Sequence, residues 1–278
     1  MTLEQGVPID VFQAIILGTV QGLTEFVPIS SHAHLILVPW LFGWPDPGLT
    51  FDVALHLGTL AALLLYFHRD WIYLGMSSLR LLKGETKDPD ARLALYIILA
   101  TIPGGIAGFL FERAADELGT PTVIATTLIG VALLMRAAEL GGMRKKDLET
   151  MTMSDALTVG FAQALAIIPG VSRSGVTITA GLFRGMTRKA AAQYSFLLSA
   201  PIVGGAVVKK LMDIAIEGLP PDQGLPFAVG IIVSAFFGFI SIAALMRYLQ
   251  TRNTFIFIHY RIALGFIVLF LGYFWGLH

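Results

Sequence analysis

Glu25 stands four residues after Gln21 in QGLTEFVPISSHAHL (residues 21–35), between two apolar runs. Residues four apart share one face of a helix, so an amide and a carboxylate point the same way. Pro28 then breaks the helix, because it has no N–H to donate. Ser30 and Ser31 follow at the position of helix N-caps, and Ser31 and His34, three apart, share the next helical face. A carboxylate in the hydrocarbon region costs roughly 2.5 kcal/mol or more, and that cost points to a cavity and a function. A second stretch, PGVSRSGVT (residues 169–177), offers Gly170 and Gly175, hydroxyls at Ser172, Ser174 and Thr177, and Arg173. A glycine-rich turn that opens a helix aims N–H groups and a positive dipole end at an anion. Arg173 adds a planar fork suited to phosphate oxygens. Brought together, the two stretches hold an anion cradle, a carboxylate, hydroxyl nucleophiles and an imidazole, the kit for phosphoryl transfer.

Each of these residues also has a plainer reading. Glu25 and Arg173 would suit a buried structural ion pair. Ser30 would suit a simple N-cap, His34 a satisfied interior histidine, and Gln21 an interhelical hydrogen bond. His32, between small residues, reads as structural. His56 and Asp52, four apart in FDVALHLGTL, read as interhelical contacts before a supporting role at a site, and Arg261 in HYRIALG reads as an interfacial anchor. No Walker motif, HExxH or GxSxG is present.

The elements that must position these groups follow from composition. Only 14% of the 278 residues are charged and 55% are hydrophobic, with a mean hydropathy of +0.75. Soluble domains carry roughly 25% charged residues. Apolar segments at about 51–68, 93–111, 122–138, 190–212, 227–246 and 256–276 are each long enough to cross a bilayer. They are continuous, not alternating, which argues against a β-barrel. Zero net charge gives no reason to expect a nucleic-acid partner, and the absence of cysteine excludes thiol chemistry. The first residues carry Glu4 and Asp10 without a basic residue, so no cleavable signal is expected.

Segments 11–39 and 156–183 are apolar at their ends and broken in the middle. Irregular backbone at membrane depth is tolerated only inside protein or a wet cavity, so both read as re-entrant hairpins. Four basic regions then fall on one side: Arg69, Arg80, Lys83, Lys87 and Arg92; Arg136, Arg144, Lys145 and Lys146; Arg184, Arg188 and Lys189; Arg247 and Arg252. Both termini and the acidic FERAADELGT fall on the other, and Lys209 and Lys210 must snorkel. Gly18, Gln21, Leu23 and Ser30 align with Gly160, Gln163, Leu165 and Ser172, while Pro28 and Pro169 miss by one place. Each hairpin precedes three spans, so the second half must be inverted. The expected fold is an all-α polytopic membrane protein with an inverted-topology repeat, residues 1–150 and 151–278, each a re-entrant hairpin plus three transmembrane helices.

The two stretches resemble the motifs of the undecaprenyl-diphosphate phosphatase family, integral membrane enzymes of the bacitracin-resistance type that recycle the bacterial cell-wall lipid carrier. The family's Glu/Gln-x-x-x-Glu is matched by Gln21 and Glu25, and its PxSSxxH by Pro28, Ser30, Ser31 and His34. Its PGxSRSGxT is matched without a break by Pro169 to Thr177, and the Tyr260–Arg261 pair is also similar. The resemblance implies a hydrolase in the bacterial inner membrane that removes the terminal phosphate of a polyprenyl diphosphate for peptidoglycan synthesis. It also implies a divalent metal, Mg²⁺ or Ca²⁺, at Glu25 and Gln21. Many members carry Glu where this chain has Gln21, so that site is one charge poorer here. On this reading Arg173 and its loop (Gly170, Ser172, Ser174, Gly175, Thr177) hold the diphosphate, and Glu25 positions a metal or acts as base. Ser31 is the preferred nucleophile, with Ser30 or water as the fallback, and His34 moves the proton. The termini and the active site are expected toward the outer face, and a homodimer is left open. A transporter or flippase of a lipid phosphate is the alternative that the same architecture allows.

Overall fold

Proline decides where both broken segments stop being helical. In the computed structural model, which describes residues 7–81, 88–116, 118–218 and 222–275, the first helix, α1, spans Val11–Thr24. A helix would next need the N–H of residue 28 for the Thr24 carbonyl, and Pro28 has none. In the second segment α7 (Met153–Ala164) tightens into a 3₁₀ turn, Leu165–Ile167, where Ile168 N–H, not residue 169, reaches the Leu165 carbonyl. Pro169 is again the residue that cannot continue the helix. The chain becomes helical again at Ser31 as α2 (Ser31–Phe42) and at Arg173 as α8 (Arg173–Phe183). Each of these helices starts behind a serine with left-handed backbone, Ser30 at φ 75° and Ser172 at φ 70°. Such a conformation costs a non-glycine residue about 1–3 kcal/mol, so the surroundings must hold it.

The starts of both hairpins are fixed by capping boxes. Asp10 accepts from Gln13 N–H while Gln13 returns a bond to Asp10 N–H; Thr152 and Asp155 do the same for α7. The remaining helices are α3 (Leu49–Tyr66), α4 (His68–Leu81), α5 (Pro89–Asp116), α6 (Pro121–Gly141), α9 (Arg188–Glu217), α10 (Gly224–Thr251) and α11 (Phe255–Trp275). Six of these, α3, α5, α6, α9, α10 and α11, are long and apolar enough to cross a membrane. They coincide with the six segments expected from sequence. The segment after α3 was expected as a basic loop. Its first half is instead the amphipathic α4, with Leu74 and Ser77 buried and Ile72, Tyr73, Met76 and Leu79 exposed. Glu4, Lys83, Lys87 and Glu117 lie outside the described residues, as do the side chains of Arg80, Glu112, Arg113 and Asp116.

Two compact units divide the chain, and each draws on both sequence halves. One comprises Met1–Val27, Ser31–Tyr66 and Ser199–Leu245. Within it, small residues let helices approach closely. A Cβ at Gly18 would lie 2.8 Å from the Gly230 carbonyl, and one at Gly22 would lie 2.7 Å from the Ser234 carbonyl. Ser234 Oγ donates to Leu55 O, Ser241 Oγ donates to Leu23 O, and Phe51 packs edge-on against Phe227. These contacts fasten α1 and α3 to α10, so the end of α1 has a fixed position.

The other unit comprises Pro28–Ser30, Phe67–Leu198 and Met246–His278. Its core includes Val131, Met135, Val171, Val176 and Ile258, which anchors both sides of the second break against α6 and α11. Glu139 ties the same helices at their ends. It accepts from Arg188, from Arg144 at 2.9 Å, and from Thr254 Oγ1 at 2.8 Å.

Candidate active site

Glu25 follows α1 as its C-cap and is buried, with its carboxylate gathering donors. Gln21 Nε2, one turn earlier, donates to Oε2 at 3.0 Å. Ser31 Oγ, the first residue of α2, donates to the same oxygen at 2.6 Å. His56 Nε2, from α3, lies 3.5 Å away. Its Nδ1 is 2.7 Å from the Asp52 carbonyl, so Nδ1 carries a proton and Nε2 faces the acid. His56 therefore makes an interhelical contact, as expected, and its partner is the carboxylate of this cluster. The four-residue spacing to Asp52 reflects a bond to the aspartate's backbone carbonyl, not to its carboxylate.

Ser31 was expected to lean on His34. Its hydroxyl is instead engaged by Glu25, and a short charge-assisted hydrogen bond of this kind withdraws the proton from a nucleophile. His34 lies in the first turn of α2, half-buried, and His32 beside it is exposed.

Gln21 Oε1 is buried and has no hydrogen-bond partner among the described residues. No group of three or more His, Cys, Asp or Glu able to hold a metal occurs among them either. The first break thus offers one carboxylate and one unsatisfied amide oxygen, both hard donors. That pair fits a cation that takes its other ligands from phosphate and water, as Mg²⁺ commonly does.

The second break is a cradle. Gly170 has φ 83°, and a Cβ there would run into Thr127 Oγ1 and lie 2.7 Å from the Ile124 carbonyl, so only glycine lets the loop seat on α6. Thr127 Oγ1 itself donates to Pro169 O at 2.7 Å. Ser172 is the N-cap of α8, its Oγ accepting from Gly175 N–H at 3.1 Å and lying 3.2 Å from Ser174 Oγ. Arg173 opens α8 and is half-buried. The first-turn N–H groups and the positive end of an eleven-residue helix are therefore gathered beside a guanidinium. Thr177, also expected to touch ligand, is fully buried one turn further on. Its Oγ1 donates to Arg173 O and shares a 2.6 Å hydrogen bond with Ser195 Oγ, so it joins α8 to α9.

Ser30 is buried in the turn of the first break, within the second unit. That unit also holds the largest departure from the sequence reading. Arg261, expected at an interface, is fully buried in α11. Its Nε donates to Leu128 O at 3.1 Å and Nη1 to Pro28 O at 3.3 Å. Nη2 reaches Gly170 O at 3.0 Å, Val171 O at 3.1 Å and Thr127 O at 3.4 Å. An arginine inside an apolar helix was the available signal; its partners are backbone carbonyls, which no side-chain pattern announces.

Residues 14–267 match the family model described as bacitracin resistance protein BacA. The chain is 49% identical over 263 residues to an undecaprenyl-diphosphatase of Geotalea daltonii, covering 94% of this chain and 97% of that one. It is 48% identical over 259 residues to one from Moorella thermoacetica (93% and 96%), and 47% identical over 259 residues to one from Pelobacter propionicus (92% and 95%). Both motif-bearing breaks lie inside the matched span, and the chain belongs to the bacitracin resistance protein BacA family.

Proposed function

We propose that this chain is an integral membrane phosphatase that hydrolyses undecaprenyl diphosphate to undecaprenyl phosphate and inorganic phosphate, returning the lipid carrier to peptidoglycan synthesis. Its relatives carry that activity in their names. The observation that carries the reading is the 2.6 Å hydrogen bond from Ser31 Oγ to Glu25, a hydroxyl already coupled to a buried base. Arg261 supports it by bonding the carbonyls of both breaks, Pro28 in one and Gly170 and Val171 in the other.

In the reaction, Glu25 takes the Ser31 proton as Oγ attacks the terminal phosphorus. The bond from that phosphorus to the bridging oxygen breaks, and undecaprenyl phosphate leaves with a proton from His34. Water then releases phosphate from Ser31. Arg173 and the first-turn N–H groups of α8 hold the charge that spreads over the equatorial oxygens, where positioning and electrostatics provide most of the rate. Glu25 and the Gln21 carbonyl oxygen would hold Mg²⁺ or Ca²⁺, which when bound neutralises charge on the phosphate oxygens. In the bacterial inner membrane, the proposed orientation has the loops bearing Arg144, Lys145 and Lys146, Arg184, and Arg252 in the cytoplasm and the termini and first hairpin toward the outer face, a reading supported by the excess of basic residues in those loops. The two sequence halves are inverted repeats, which fits the matched proline and serine geometry of the breaks.

The test is phosphate release from undecaprenyl diphosphate by purified protein in detergent, with no membrane gradient. Wild type turns over, and Arg173→Ala falls by about 10³-fold or more, the range for losing a transition-state charge clamp. A protein that only transports lipid releases no phosphate in this assay, and an Arg173→Ala variant with wild-type turnover would refute the assignment of the cradle.

A further inference from the structure

A buried guanidinium normally has a carboxylate opposite it, and Arg261 has none among the described residues. All five of its hydrogen bonds end on backbone carbonyls. Carbonyl dipoles satisfy its N–H groups without neutralising its charge, so the positive charge remains available to a neighbouring anion. It sits directly behind the cradle, since a Cβ added at Gly175, in the first turn of α8, would lie 3.3 Å from Arg261 Nη1.

The bond to Val171 O has a further consequence. The Val171–Ser172 peptide is trans, so its C=O and N–H point in opposite directions. With the carbonyl turned onto Arg261, the Ser172 N–H is turned away from it. That N–H donates to no acceptor among the described residues. The same guanidinium holds Gly170 O, so the positive-φ turn at Gly170 and Ser172 is pinned from behind at two successive carbonyls. A strained N-cap persists only where its surroundings fix it.

Resting on the phosphatase reading above, we propose that Arg261 is a positioning residue for phosphate recognition. It orients the Val171–Ser172 peptide so that the Ser172 N–H joins the anion cradle, and it adds an uncompensated positive charge behind that cradle. It does not touch the reacting atoms.

The experiment compares full-length wild type, Arg261→Lys and Arg261→Gln in detergent. It measures KM and kcat for undecaprenyl diphosphate, inhibition by inorganic phosphate, and thermal stability. Lysine keeps the charge but cannot reach five carbonyls, so KM and the phosphate inhibition constant rise together by about 10-fold while kcat stays within about 3-fold. Glutamine loses the charge as well, and both constants rise by about 100-fold. A purely structural role lowers the melting temperature and the folded fraction but leaves KM and the inhibition constant at wild-type values, and that outcome overturns the proposal. Gly175→Ala keeps Arg261 and adds one methyl between Ser172 (Cβ at 3.1 Å, Oγ at 3.2 Å) and Arg261 Nη1 (3.3 Å), where it crowds the cradle against the guanidinium, with an expected KM increase of about 3-fold. If neither Arg261 variant folds, an unchanged KM in Gly175→Ala overturns the proposal instead. A wild-type protein that releases no phosphate refutes the phosphatase reading itself, which is a different failure.

Discussion

The two breaks reach the same backbone solution and then carry opposite chemistry. In each, a proline withholds the N–H that the helix needs, a serine near φ 70° turns the chain, and a new helix opens. The first places Glu25 ahead of its proline and collects hydroxyl, amide and imidazole around an acid. The second places Arg173 after its serine at the start of a helix. On the proposed reading, one break accepts a proton and the other holds an anion. A broken helix thus fixes where chemistry happens, while the residues on either side of the break decide which chemistry it is.

The division predicts separable kinetic defects. The largest belongs to Glu25→Gln, which keeps the size and the hydrogen-bonding reach of the side chain but cannot take a proton. We expect kcat to fall by about 10³-fold with KM within about 3-fold, since general-base contributions run from roughly 10² to 10⁴. Acid-quenched wild type given lipid diphosphate should show phosphate on Ser31 by mass spectrometry. Absence of that adduct, with Ser31→Ala still active, would move the attack to water held by Glu25. If Glu25→Gln raised KM as strongly as it lowered kcat, acid and cradle would not be distinct functions.

Much of this was legible in the sequence, and the misses have a common cause. The six long apolar runs became six long helices, because continuous hydrophobicity over about 20 residues has few other solutions. The breaks were legible because proline, glycine and serine act locally on the backbone. α4 was hidden because its apolar residues are interleaved with polar ones in a basic segment, where loop and amphipathic helix look alike. Arg261 was misjudged, and the partner of His56 was not named, for another reason. The partners of Arg261 are carbonyls of residues 28, 127, 128, 170 and 171, and that of His56 is a carboxylate 31 positions away. Spacing reveals contacts within a helix and says nothing of contacts between distant ones.

His56 gives a smaller effect and shows how far the acid break reaches. If that break includes α3, His56→Gln should lower kcat by about 10-fold and leave KM unchanged, since the imidazole orients a carboxylate and does not bind phosphate. The same variant should leave inhibition by inorganic phosphate at its wild-type value. A shift in that inhibition would place His56 with the anion-binding function instead.

Asp155 provides the limiting case, a charged cluster on the second hairpin that should have no kinetic role. Burial by itself would raise its carboxyl. Lys146 at 2.9 Å, the Thr152 N–H and hydroxyl, and Arg184 Nε at 2.7 Å outweigh burial and hold it at about 2. Its unfolded value is near 3.8, so the unfolded chain binds the proton more readily than the folded one. Stability from this cluster is therefore complete above about pH 5 and is lost as pH falls from about 4 through 2, a contribution on the order of 2 kcal/mol. Asp155→Asn should lower the melting temperature in detergent at pH 7 and flatten its decline between about pH 4 and pH 2. At temperatures where the variant stays folded, kcat and KM should equal those of wild type. A raised KM there would mean that the start of α7 transmits strain to the cradle at its other end. The clean separation between the residues that hold the hairpin and those that hold the phosphate would then fail.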